Sequence, residues 1–250
     1  LGYSMIYSVA ETEDKIADAL NQIKASGAQC LLFFPHHKGA VFPDRERKDI
    51  RLSSLPTLVL ESRSAGLNYV TADMERGTSL LADYLYGIGH RRICLATAFS
   101  RKVAGFEQAV ARWNDPGVQK WILAEEGKTD EDDRDLARRI LTLTPRPTAV
   151  IAADDHAASI LISAFRGAGV PVPGEISVAT FDDHPKLSQF SSVPLTVVRH
   201  PCREIAQEVA CWVHAQFTNA GNRRFRREIT GTLIQRESTA APATQQVQNG

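Results

Sequence analysis

The stretch Val170–Pro201, VPVPGEISVATFDDHPKLSQFSSVPLTVVRHP, decides how this chain folds. Ile176–Phe181 has the short, apolar, β-branched composition of a strand, and it runs straight into Asp182-Asp183. A polar loop follows, then a second strand over Leu195–Arg199, closed by His200-Pro201. In an open α/β sheet, ligands collect outside the carboxyl ends of the strands. Asp182 and Asp183 stand at such an end.

Working outward, Pro201 suits the first position of a helix over Cys202–Phe217, whose apolar face is Ile205, Val209, Trp212 and Val213. Phe225–Gln235 reads as a final strand region, and from Ser238 the chain becomes a polar tail of disordered composition. Upstream, Ala149–Ala152 is a strand and Asp155 reads as the cap of a helix carrying Ile160, Leu161, Ala164 and Phe165. Before it come a helix opened by Thr129, a strand at Val118–Leu123, a helix opened by Ser100 and a strand at Arg92–Ala96. Earlier still, Asp73 caps a helix with the stripe Leu80, Leu81, Tyr84, Leu85 and Ile88, preceded by strands at Tyr69–Thr71, Pro56–Leu60 and Ala28–Phe34. A helix spans Glu11–Ser26, and Leu1–Val9 reads as a strand.

Strands alternating with helices of roughly 10–15 residues predict repeated βαβ units and parallel sheets. The strands are too many for one small sheet, and the alternation restarts after Arg92–Ala96. The fold class is therefore α/β with two Rossmann-like lobes, with a break near Thr97–Ser100. A length of 250 residues accommodates two lobes, and 43% apolar residues suffice for their cores. The 29 basic and 29 acidic residues cancel, which argues against a nucleic-acid-binding surface or a polybasic membrane anchor. No apolar run approaches the roughly 18 residues of a membrane helix. No export signal is visible in residues 1–30. Cys30, Cys94, Cys202 and Cys211 are scattered without a CxxC pair, which predicts buried, reduced thiols.

Several clusters invite a chemical reading. Asp182-Asp183 and Asp154-Asp155 both end strands of one lobe; each pair can act as turn or cap carboxylates, yet together they describe a polar cleft. Of the second pair, Asp154 is the better cleft residue and Asp155 the better cap. His36-His37 with His90 or His156 lacks any HxxxH or HExxH spacing, so loop histidines are expected rather than metal ligands. The acidic run Thr129–Asp135 lacks calcium-loop spacing and reads as a capped helix start. No GxSxG elbow, GxGxxG or Walker loop is present, so no enzyme and no cofactor are expected. Arg223–Arg227 reads as a solvated basic cluster.

The ordered motifs resemble the effector-binding core of the lactose-repressor/galactose-repressor regulators. They are Val70-Thr71-Ala72-Asp73 with Gly77, Gly89-His90-Arg91-Arg92-Ile93, Gly105-Phe106, Pro147-Thr148-Ala149-Val150 followed by Asp155, the FDD and PLTxV segments, and Gln235-Arg236-Glu237-Ser238. The resemblance implies two lobes joined by three crossovers, as in periplasmic sugar-binding proteins, here near Thr97–Ser100, Arg199–Pro201 and Asn219–Phe225. The lobes would be 1–98 plus 201–220 and 99–200 plus 221–238, with 239–250 a disordered tail. It further implies a cytoplasmic homodimer that closes on a small, sugar-like effector and reaches operator DNA only through an N-terminal head. Neither that head nor the lobe's first βα unit is in this sequence. Asp182, Asp154, Lys102, Arg101, Asp73 and His200 are the implied ligand contacts. Lys102 stands where the family carries an arginine, Asp154 where it carries an asparagine, and Thr129 where it carries an aromatic. Lysine lacks the bidentate fork of arginine. The alternative is a solute-binding protein of a sugar uptake system, which shares the fold.

Overall fold

A computed structural model describes residues 3–9, 15–35, 48, 50, 54–124, 129–189, 192–218 and 224–243. His36, His37 and Arg223 lie outside them. The chain forms two units, Leu1–Ala72 with Pro201–Ile229, and Asp73–His200 with Thr230–Gly250. The chain therefore passes between units at Ala72/Asp73, His200/Pro201 and Ile229/Thr230. The middle passage is where the motifs put it. The first lies well before Thr97–Ser100, because the helix after Asp73 and the strand Arg92–Ala96 pack into the second unit.

The first unit holds α1 (Ile16–Ala25), β1 (Leu31–Phe33), β2 (Thr57–Leu60) and β3 (Asn68–Ala72). α7 (Cys202–Phe217) and β9 (Arg226–Ile229) complete it. Its four strands run parallel in the order β1-β2-β3-β9. Ile16 and Leu20 of α1 close over Leu31, Ile50 and Val59. As an edge strand, β1 buries only Leu31 fully. Tyr3–Val9, the described part of the segment read as a strand, pairs with none of the described strands, and Met5 and Tyr7 are 84% and 83% exposed. Tyr3 instead stacks on Phe217, ring centroids 4.4 Å apart, with its hydroxyl 2.9 Å from His214 Nδ1. Cys202 and Cys211 are exposed on α7, contrary to the buried-thiol expectation, whereas Cys94 is buried.

The second unit holds α2 (Met74–Gly87), β4 (Arg92–Ala96), α3 (Ser100–Trp113), β5 (Gln119–Leu123) and α4 (Asp130–Thr142). It continues with β6 (Ala149–Ala152), α5 (Asp155–Gly167), β7 (Ser177–Asp182), the short α6 (Pro185–Ser188), β8 (Thr196–Arg199) and β10 (Thr232–Ile234). The sheet order is β10-β8-β7-β6-β4-β5, parallel except for β10. Alternate side chains serve opposite faces. Ile93 and Leu95 meet Leu81, Leu85 and Phe106 of α2 and α3, while Cys94 and Ala96 meet Leu136, Ile140, Leu161 and Phe165 of α4 and α5. Helices on both faces explain why β4 and β6 are almost uninterrupted apolar runs.

Two readings change. Phe225–Gln235 is not one strand region: β9 and β10 belong to different sheets, because the chain changes unit after Ile229. The start of the polar tail is ordered. Ser238 is fully buried between β7 and β8: its N–H donates to Pro194 O (2.9 Å), its carbonyl accepts from Val178 N (2.8 Å), and its Oγ donates to Val178 O (2.6 Å) and accepts from Thr196 N (2.8 Å). Thr239 bonds Tyr84 and Thr196, and Ala240 bonds Ser177 and His90. Composition reports a polar tail; it does not report that splayed strand ends need exactly such donors and acceptors.

His90 is a buried network residue rather than a loop histidine. Its Nε2 lies 2.9 Å from the Ala240 carbonyl, which can only accept, so that nitrogen carries the proton; Nδ1 then accepts from Thr148 Oγ1 at 2.9 Å. Burial pushes its pKa down to about 4, against a smaller upward pull from the Ala240 hydrogen bond.

Two outcomes follow from these contacts. Ser238→Ala should cost about 1–3 kcal/mol in denaturant unfolding, because it strands the buried Thr196 N–H. His90 protonates in the unfolded chain at its ordinary pKa but in the native chain only near 4. Its contribution, on the order of 3 kcal/mol, should therefore be complete above the ordinary histidine pKa and lost as pH falls from there to about 4. Unfolding curves of His90→Gln and the parent, compared across that window, should differ in slope; parallel pH profiles would show that His90 is not the group responsible.

Candidate functional site

Four of the parallel strands of the second unit end at Ala96 (β4), Ala152 (β6), Asp182 (β7) and Arg199 (β8), with β5 ending at Leu123 on the edge. All six residues expected to contact ligand belong to this one unit, including Asp73 and His200, which were expected on the other lobe or its hinge.

Asp182 and Asp183 are the local anomaly. Both have positive φ, 85° and 94°, which a residue with a Cβ rarely adopts. Such backbone costs on the order of 1–3 kcal/mol per residue and persists only where its surroundings over-determine it. Here they do. Asp183 buries its carboxylate, with Oδ2 2.8 Å from Arg199 Nε and Oδ1 2.7 Å from Arg236 Nη2. The Arg236 contact is an ion pair lying off the hydrogen-bond axis. Asp182 O accepts from His200 N at 3.0 Å. The reading of the pair thus divides: Asp183 is structural, and Asp182 is presented.

The Asp182 side chain is exposed, yet its pKa is raised, first by desolvation. Lys102 and His200 pull the pKa back down, while the charges of Asp155 and Asp154 push it up. Lys102, Asp154 and His200, three of the six expected residues, are therefore within electrostatic reach of Asp182.

Lys102 reaches this place from the first turn of α3. Its Nζ donates to the Ala153 carbonyl and lies 3.9 Å from the centroid of the Phe181 ring. Arg101 precedes it, and no acidic residue occupies that turn. Two cations at a helix N-terminus oppose the helix dipole. A locally unfavourable choice of this kind is expected where function overrides stability. Arg101 is buried and gives Nε and Nη2 to Glu75 Oε2 at 2.9 and 2.7 Å, so it braces α3 against α2 rather than facing Asp182. Asp73 caps α2, its Oδ1 accepting from Arg76 N at 2.9 Å.

The helix cap falls on Asp154, not on Asp155. Asp154 is the N-cap of α5, accepting from Ala157 N at 2.9 Å, and it keeps its second oxygen for other partners. Asp155 is buried and accepts from His184 N (2.7 Å) and Ser188 Oγ (3.1 Å), which fixes the loop after Asp183. Thr129 and Asp132 form a reciprocal capping box on α4, as the acidic run predicted. Two contributors escaped the sequence reading. The Phe181 face and the Ala153 carbonyl position Lys102, and neither a ring nor a main-chain oxygen leaves a motif. The set offers carboxylate acceptors, an ammonium donor and an imidazole, which suits holding hydroxyls or amines.

Comparison with known proteins agrees with this architecture. Residues 82–239 match the family model described as a periplasmic binding protein-like domain. The chain is 32% identical over 166 residues to the HTH-type transcriptional repressor PurR of Vibrio parahaemolyticus, covering 63% of this chain and 49% of that protein. It is 33% identical over 152 residues to the arabinose metabolism transcriptional repressor of Geobacillus stearothermophilus, covering 56% and 41%. The chain thus spans about half the length, or less, of these curated relatives. Among solved structures it resembles the lac repressor dimer bound to operator and the anti-inducer ONPF, with a TM-score of 0.75, 21% identity, and coverage of 90% of this chain and 78% of that one. That last likeness is one of fold.

The approach of α3 to α2 sets where Lys102 lies, and Gly105 permits it: a Cβ there would stand 2.2 Å from the Glu75 carbonyl oxygen. Gly105→Ala should destabilise the chain by about 1–3 kcal/mol through overpacking. It should also shift the amide resonances of Arg101 and Lys102, which a two-dimensional NMR spectrum reads directly.

Proposed function

We propose a sensing role from one premise: the chain belongs to the periplasmic binding protein-like domain family. In this reading it is the effector-binding and dimerising core of a cytoplasmic transcriptional regulator of the lactose-repressor type. Its ligand is a small polyhydroxylated molecule, a sugar or sugar derivative, held at the carboxyl end of the six-stranded sheet. Asp182 and Asp154 accept from ligand hydroxyls, Lys102 and His200 donate, and Asp73 and Arg101 shape the neighbouring edge. Control of operator DNA belongs to a DNA-binding part beyond the half that this chain shares with its relatives. The balanced charge of the chain supports that division, since phosphate binding draws on a basic surface. The ligand would act by its differential affinity for two states of the core.

The observation that carries this reading is Asp182, held in strained backbone at the end of β7 with Lys102, Asp154 and His200 among its electrostatic neighbours.

A thermal-shift screen of monosaccharides and their derivatives, followed by calorimetry on the best hit, tests it. Asp182→Asn tolerates positive φ and removes the charge, so the fold should survive. Affinity should fall roughly 10- to 150-fold, the loss of one charged hydrogen bond worth about 1.5–3 kcal/mol. Because the Asp182 pKa is raised, affinity should also be lost on acidification at a higher pH than an ordinary aspartate would give. A hit that binds Asp182→Asn as tightly as the parent would remove Asp182 from the site.

A further inference from the structure

We propose that Asp183 is a positioning residue: it couples the Asp182 turn to the two strands through which the chain leaves and re-enters the second unit. The proposal rests on the reading of Asp182 as a ligand contact, and its test separates the two.

Asp183 is unavailable to a ligand. Its side chain is 2% exposed and both oxygens face arginines. What matters is where those arginines lie. Arg199 is the last residue of β8, and one residue later the chain passes into the first unit at His200/Pro201. The chain returns at Thr230, and β10 pairs antiparallel to β8 with Thr232 opposite Arg199. Gly231 lies so close that a Cβ would stand 2.4 Å from the Arg199 carbonyl oxygen. Arg236 follows β10 by two residues and is itself anchored, its Nη1 donating to Leu195 O at 2.7 Å and its N–H to Thr196 Oγ1 at 2.9 Å.

One carboxylate therefore joins three segments: the turn after β7, the end of β8 and the residues after β10. The first carries Asp182. The other two flank the second and third passages of the chain between units. His200 adds a direct link, its N–H donating to Asp182 O at 3.0 Å. A ligand that moves the Asp182 carboxylate moves the turn, and the turn cannot move without its arginines. Coupling between distant sites needs such a continuous network, and it must be demonstrated as more than spatial continuity.

Native-state hydrogen exchange makes that demonstration. Asp183→Asn keeps the size and positive-φ tolerance of the side chain while removing its charge. Exchange should rise at least tenfold at His200 and across Thr232–Ile234, with Leu95 and Ile151 in the sheet centre unchanged. Carbon-detected titration of the Asp182 carboxyl should move down toward the ordinary aspartate range as the turn relaxes. If every amide, core included, changes by one common factor and Asp182 titrates as in the parent, Asp183 only stabilises and the proposal fails. Should Asp183→Asn not fold, Arg236→Gln removes the other side of the clamp and must give the same local pattern. D-ribose is the probe for the ligand arm. If the parent binds it, ribose should slow exchange at His200 and Thr232–Ile234 in the parent but not in Asp183→Asn; equal slowing in both overturns the coupling. If ribose does not bind the parent, that counts against the sugar reading alone, and the ligand-free exchange data decide the coupling.

Discussion

The buried carboxylate of Asp183, held between Arg199 and Arg236, is the interaction on which the carboxyl end of the six-stranded sheet depends. Burying a carboxylate is costly, and the cost is offset only when cations and good geometry meet it. Two guanidinium groups do so here, at 2.8 and 2.7 Å. The arrangement keeps two consecutive aspartates in backbone that neither favours. Without that restraint the turn after β7 would relax, and Asp182 would lose its placement among Lys102, Asp154 and His200.

The rest of the second unit supplies a rigid frame for that turn. Its central strands are buried on both faces, so their carboxyl ends cannot drift independently. The close crossing of α2 and α3 at Gly105 brings two cations to the first turn of α3, where Glu75 takes Arg101 and the Phe181 ring with the Ala153 carbonyl takes Lys102. At the opposite, amino-terminal ends of β7 and β8, Ser238 replaces missing strand hydrogen bonds. Residues 238–240 thereby close the sheet that the middle of the chain builds.

Much of this was legible in the residues. Alternating apolar runs and capped helices located most elements within a residue or two, and the ordered motifs indicated the two-unit α/β fold. The misreadings share a physical cause: each depended on what a segment meets in space. Tyr3–Val9 has strand composition but pairs with no described strand. Ser238 and Ala240 look like tail until the unfilled strand ends beneath them are seen. Asp154 and Asp155 are adjacent carboxylates, and only the geometry of the first turn of α5 decides which one caps. In the FDD motif, charge identified the pair but not the arginine clamp that assigns one aspartate to the core and the other to the site. That clamp joins residues far apart in sequence.

The central claim is that the carboxyl end of the six-stranded sheet is a ligand site organised around Asp182. Amide chemical-shift mapping on the isotopically labelled chain, titrated with a panel of monosaccharides and sugar phosphates, tests it most directly. The account predicts saturable shifts concentrated at Lys102, Ala153, Asp154, Asp182 and His200 for at least one member. Saturable shifts that leave these five residues unmoved and gather elsewhere would contradict it.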